Sequence, residues 1–292
     1  MTHKSHFVLE LGCEELPSTS LLQLQEDLRN SIERELSSAG LFVETISMIA
    51  APRRLGFEIT GLPEISAEQK FEKRGPALTS AYHAGKPTKA LEGFCYGLGI
   101  TADQVSILKT EKGAWVVYSG VEPGIATSEQ IGKLCLNAIQ SIPLSKSMRW
   151  GESRDEFPRP VRWILAMLNS KVIALELFSK QSKQFTFGHR FHSPEKIVLK
   201  TASDYSSELS KNFVIGNFEI RKTMIWSKIQ DAAAENRVTV EKNESLLNEI
   251  CSLVEWPIGL AGKFDTSFLS VPEIALVAAM RGHQKYFHTR TG

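Results

Sequence analysis

Four cysteines are all that this 292-residue chain holds, at positions 13, 95, 135 and 251. No two of them form a CxxC pair, which argues against a disulfide framework and a zinc knuckle and predicts free thiols. No window approaches 18 consecutive apolar residues, so no membrane-spanning helix is expected. Residues 1–16 lack a basic stretch followed by an apolar run and a small-residue cleavage site, so no secretory signal is expected either. A cytoplasmic protein without membrane contact is the resulting expectation. An excess of one charge is missing too: 34 Lys+Arg stand against 33 Asp+Glu, a net charge of +1. That balance argues against a protein that coats nucleic acid over its whole surface. Activation motifs are equally lacking. No GxxxxGK[ST], GxGxxG, GxSxG, HIGH or KMSKS string occurs, and no class II synthetase signature is evident. No catalytic residue and no bound cofactor are therefore assigned to this chain.

The residues that are present describe a globular protein, with 42% hydrophobic and 23% charged. The neutral total is a sum of opposed blocks. Residues 1–50 carry 3 basic and 8 acidic groups, whereas residues 146–200 carry 11 basic and 5 acidic.

Periodicity predicts the elements. Residues 6–12 form a short apolar run with alternating character that reads as a strand, and Leu21, Leu24, Leu28, Ile32 and Leu36 mark an amphipathic helix stopped by Gly40. Strands at 45–50 and 56–62 follow, joined through Pro52-Arg53-Arg54. Residues 72–88 read as a Gly/Pro loop and 89–98 as a helix. A hairpin turns at Lys112-Gly113 between 105–109 and 115–121. Further helices are expected at 127–139, 220–236, 243–254 and 273–280. Strands are expected at 160–168, 172–178 and 257–264. The fold class is α+β, with mixed or antiparallel sheets flanked by amphipathic helices in two packed subdomains. The division is placed at 190, leaving a motif-bearing domain over 1–190 and a second α+β portion over 191–292. An aromatic pair, Tyr286-Phe287, lies close to the end, and points to a piece of a longer chain.

The chemistry concentrates at 146–192. Arg149, Arg159, Arg162 and Arg190 are interleaved there with Trp150, Phe157, Trp163 and Phe187. Guanidinium forks bind phosphate bidentately and aromatic faces stack unpaired bases, a mixture suited to RNA. The competing reading is a solvated face with core aromatics and arginine salt bridges. Arg53 and Arg54, in a turn after Pro52, are secondary candidates for a phosphate contact. His189 and His192 form H-x-x-H without an acidic or thiol ligand at standard spacing. On a strand the two would point to opposite faces, so no metal site is expected. Glu14-Glu15 reads as an acidic pair capping a helix N-terminus rather than as a catalytic pair.

Six strings, LELGCEELP (9–17), SMRWG (147–151), FPRPVRWILAML (157–168), TFGHRFH (186–192), LVEWPIGLAGKFD (253–265) and MRGHQKYF (280–287), resemble the beta subunit of bacterial heterotetrameric glycyl-tRNA synthetase. The family usually has Thr where this chain has Cys13, and an acidic residue where it has Gly282. The resemblance implies a share in an α2β2 ligase that charges tRNA(Gly) with glycine, using ATP and Mg in the whole enzyme. It implies an adenylate-forming site on the alpha subunit, with tRNA binding and subunit assembly expected here. The alternatives are a non-catalytic scaffold without RNA contact and, third, an editing module that hydrolyses mischarged tRNA. Glycine is the smallest substrate and a poor case for such sieving.

Overall fold

A computed structural model describes residues 4–111 and 113–290, and divides the chain into two compact units. One comprises residues 1–64 and 127–292; the other, 65–126, is an insertion. The expected division at 190 is therefore not where the chain divides. Residues on either side of 190 pack into one core, and the insertion leaves and returns between neighbouring points at Glu64 and Thr127.

The first unit opens with β1 (Ser5–Cys13), α1 (Leu21–Ser38), β2 (Thr45–Ala51) and β3 (Arg54–Leu62). The insertion supplies β4 (Gln69–Ala77), a short α2 (Leu78–Ala81), the small hairpin β5 (Tyr82–His83) and β6 (Lys86–Pro87), α3 (Lys89–Leu98), β7 (Ser106–Thr110) and β8 (Gly113–Glu122). The expected Gly/Pro loop at 72–88 thus contributes most of a strand. Its partner β8 pairs it from Gln69 to Arg74, and a register shift follows before Ala77, where Gly75 and Pro76 lie. The β7–β8 hairpin forms as expected, and Lys112 of its turn lies outside the described residues. Arg74 lies over the Trp115 ring at 3.5 Å in this three-stranded sheet.

The chain re-enters the first unit with α4 (Thr127–Gln140) and β9 (Val161–Leu168). β10 (Lys171–Val172), β11 (Glu176–Leu177), β12 (Lys180–Lys183), β13 (Phe185–Phe187) and β14 (Lys196–Val198) follow, then α5 (Tyr205–Lys211) and α6 (Phe218–Glu235). The last elements are β15 (Thr239–Val240), α7 (Glu244–Cys251), α8 (Glu273–Ala278) and β16 (Thr289–Arg290). The expected strand at 257–264 is absent. That stretch carries no strand pairing, and Ile258, Leu260 and Phe264 are exposed. Tyr286-Phe287 lies outside any strand, between α8 and β16. Phe287 packs its ring on Trp226 of α6, with centroids 5.8 Å apart.

The main sheet runs β11-β12-β9-β1-β3-β2, with β10 also on β9. Its pairings are antiparallel except for β12 on β9. β1 is central, and both of its faces are covered. Phe7, Leu9, Leu11 and Cys13 join α1 and α4 in the larger core. On the other face, Val8 packs with Leu165, Met167, Tyr205 and Leu209. Burial on both faces explains the near-continuous apolar reading of β1. Glu10 is the one charge in it.

Candidate functional site

Glu10 sits on the second face of β1, opposite Gly56 of β3 and Leu165 of β9. Two residues further along, Gly12 stands between Arg54 and Trp163. Residues two apart share a face, so Arg54 and Trp163 reach Glu10 diagonally from the two flanking strands. Gly12 makes this geometry possible: a Cβ there would fall 1.8 Å from Cε2 of the Trp163 indole.

Arg54 Nη1 donates to both Glu10 oxygens at 3.2 Å, and to Thr186 Oγ1 at 2.8 Å. Its Nη2 donates to the Phe187 carbonyl at 2.6 Å and the Gly188 carbonyl at 3.3 Å. Glu10 also accepts from Thr186 Oγ1, from the Trp163 indole N–H and from the Tyr205 hydroxyl. Glu255 completes the set, its Oε1 lying 3.4 Å from Arg54 Nε, close enough to pair charges without hydrogen-bond geometry. Burial opposes the charge of Arg54, but Glu10 and Glu255 outweigh it and hold its pKa above the ordinary value. Tyr205 is pushed well above a free phenol by burial and by Glu10. A buried charge pair persists when its lone pairs and protons are largely satisfied. Here both Glu10 oxygens and both Arg54 Nη atoms are, while Arg54 Nε has only the charge of Glu255 beside it.

Four of the six strings that carry the family resemblance meet in this network: Glu10, Trp163, Thr186 with Phe187 and Gly188, and Glu255. Arg54, expected to dock a phosphate, is fully buried and committed to Glu10. It is withdrawn from the candidate RNA surface.

The other expected residues lie at the edge of this network or on nearby surface. Arg53 is half-buried, 5.8 Å over the Trp163 ring. Its Nε has no hydrogen-bond partner, and burial lowers its pKa. Arg162 alternates with Trp163 along β9 and so points to solvent, with Nε 3.5 Å from Glu14. Arg190 pairs with Glu14 at 2.9 Å and Glu15 at 2.5 Å. Glu14-Glu15 therefore holds arginines, and the expected role at a helix start is replaced: α1 begins only at Leu21, after Ser20. Arg149 pairs with Glu156 at 2.5 Å, and Arg159 donates to the Pro158 carbonyl at 2.7 Å. Trp150 stacks on Phe178 at 5.4 Å and packs against the main core. The structure thus gathers Arg53, Arg162 and Arg190 around the end of β1. Arg149, Arg162 and Arg190 each have a carboxylate partner, so the surface is a mixed-charge rim.

His189 and His192 are brought together instead of apart. They sit in a turn, with ring centroids 4.5 Å apart. Among the described residues, no group of three or more His, Cys, Asp and Glu side chains could hold a metal ion. Cys13 and Cys135 are driven upward in pKa by burial, and Cys251 is pushed up to about 11 by the same cause. No helix among the described residues is long and apolar enough to cross a membrane.

The family model described as glycyl-tRNA synthetase beta subunit matches residues 7–292. The chain is 40% identical over 290 residues to the glycine–tRNA ligase beta subunit of Hahella chejuensis, covering 99% of this chain and 42% of that protein. It is 41% identical over 284 residues to the Acinetobacter baylyi protein of the same name, covering 97% of this chain and 41% of the relative. The chain spans about two-fifths of the length of these curated relatives. With four of its six signature strings gathered around Glu10 and a match over nearly its whole length, the chain belongs to the glycyl-tRNA synthetase beta subunit family.

Proposed function

We propose that this chain serves the ATP-dependent charging of tRNA with glycine by contributing tRNA binding and subunit assembly, in the cytoplasm and within an α2β2 enzyme. Glycyl-adenylate then forms on the alpha subunit, where ATP and Mg are used. The supporting observation is the rim at the end of β1, where Arg162 and Arg190 are exposed beside Arg53 and share Glu14 and Glu15. A carboxylate pre-orients a guanidinium in the fork that a phosphate also accepts, so RNA phosphate can replace Glu14 or Glu15 with little side-chain rearrangement. Titration of tRNA against Arg162→Glu and Arg149→Glu at two salt concentrations tests the reading. Weaker binding with a shallower salt slope is expected, and unchanged affinity and slope reject it.

Assembly without RNA contact is the second reading. It is favoured by the run of exposed apolar side chains that includes Leu260, 87% exposed, and Ile274, 81% exposed. Co-purification with the alpha subunit, combined with an absence of tRNA binding, would select it.

A further inference from the structure

Next to the arginine rim lies an aromatic cluster of His189, Phe191, His192, Phe213 and Trp256, in which Phe191, His192 and Phe213 are exposed. The turn after β13 carries Phe191, a residue 81% exposed, whose ring centroid lies 6.1 Å from that of His189. His192 follows, 5.4 Å from Phe213, and Phe213 meets Trp256 edge-on at 5.6 Å.

Phe213 is the telling residue. It directly follows Asn212, the C-cap of α5, at the left-handed position where helices commonly take glycine, and its φ is +60°. Bulky side chains populate that region sparsely and persist in it where the surroundings over-determine them. Despite that, its ring is partly open to solvent. Glycine would suit the backbone better there, and the Phe213 ring is instead held against His192 and Trp256.

The cluster is also held in place before any ligand arrives. The backbone N–H groups of Phe191 and His192 donate to His189 Nδ1 at 3.2 and 3.3 Å. His189 N donates to the Asn212 carbonyl at 2.9 Å, and Ser193 Oγ donates to Asn212 Oδ1 at 2.6 Å. Those bonds tie the 189–193 turn to the end of α5. Gly188 allows the close approach, since a Cβ there would lie 2.2 Å from the Ser193 carbonyl oxygen. The cations stand alongside: Arg190 lies within the same turn, and the charge of Arg53 acts on His189.

We propose that Phe191, His192, Phe213 and Trp256 form a stacking notch for an unpaired RNA base, with Arg190 and Arg53 placed for its phosphate. The proposal rests on the tRNA-binding reading above and names the part of the RNA recognised: single-stranded nucleotides, because a base within a duplex presents no free face. Fixed aromatic faces stack any base, and adjacent guanidinium groups supply the backbone contact.

The test is fluorescence anisotropy on the full chain, with labelled short oligoadenylate and with tRNA, each across a salt series. Phe191→Ala is expected to weaken oligoadenylate binding about tenfold with an unchanged salt slope, because stacking releases no counterions. Arg190→Gln is expected to reduce the slope by about one. An unchanged thermal midpoint for Phe191→Ala shows that the fold is kept, and Phe213→Gly, which suits the backbone, serves as the second variant. If both aromatic variants bind oligoadenylate like the parent while tRNA still binds with a steep salt slope, the notch is wrong and the tRNA reading stands. If the parent binds neither RNA, both fail. If Phe191→Ala loses the alpha subunit while RNA affinity is unchanged, the cluster is a protein interface and the proposal is overturned.

Discussion

Glu10 and Arg54 face one another inside the main sheet, with Nη1 3.2 Å from each carboxylate oxygen and neither side chain reaching solvent. They come from β1 and β3, 44 residues apart, and the bond closes only when those strands pair in register. The pair explains why charged residues stand inside otherwise apolar strands. It also changes the meaning of the signature strings, which here build the interior under the candidate RNA surface.

Removal of one partner should cost more than removal of both. Arg54→Met leaves Glu10 charged and buried, and is expected to destabilise the chain by about 3–5 kcal/mol. The Glu10→Met/Arg54→Met double variant is expected to lose less than the two single losses combined. Urea denaturation of the four proteins gives the coupling directly. Additive losses would show that the two charges do not interact.

Gly12→Ala tests the diagonal packing of Trp163. The new methyl group would overlap the indole, displacing it and breaking its bond to Glu10. A loss of at least about 1–3 kcal/mol is expected from the overpacking. Trp163→Leu in the same chain should recover part of it. A Gly12→Ala chain with an unchanged unfolding midpoint and unchanged tryptophan fluorescence would contradict this packing.

Arg221 offers a second buried-cation test. It is fully buried and donates to the Cys251, Ile215 and Ala50 carbonyls, so one guanidinium joins α6, the end of α7 and β2. Lysine has fewer donors and no fork, so Arg221→Lys leaves carbonyls unmet. A loss of about 1–3 kcal/mol per unmet group is expected, read from the urea midpoint.

The pH dependence follows from His189. Burial lowers its pKa, against the pull of Glu255, and Nδ1 already accepts two backbone N–H groups. The unfolded chain therefore takes up the proton first as pH falls below about 6.5. This group's contribution is complete above that value and is lost as pH falls toward the depressed folded value. The parent should lose more stability between pH 7.5 and 5.5 than His189→Gln does. Equal losses would contradict the assignment.

Adenylate chemistry gives the last prediction. The purified chain is expected to show no glycine-dependent ATP–pyrophosphate exchange, consistent with its lack of an ATP-site signature. Exchange above background would place an activating centre in it.

Local pattern alone was enough to identify α1, β1, β2, β3, the β7–β8 hairpin and α4, because apolar periodicity or a short apolar run bounded by turn residues marks each of them. The family, too, was legible in six contiguous strings. What the sequence could not order was everything decided by partners distant along the chain. Arg53 and Arg54 look alike in a turn after proline, yet Arg53 stays in the turn, half-buried, while Arg54 opens β3 and points into the sheet. Only pairing with a strand 44 residues away makes Arg54 structural. Glu14-Glu15 resembled a helix cap until Arg162 and Arg190 arrived from far downstream. His189 and His192 seemed destined for opposite faces, and a turn stacked them. The signal that could have found the buried pair was a lone Glu10 within an apolar strand. Composition and periodicity determine which segments become strands and helices. Tertiary structure decides which charges are interior and which remain for a ligand, because burial of a charge depends on a partner that local sequence does not contain.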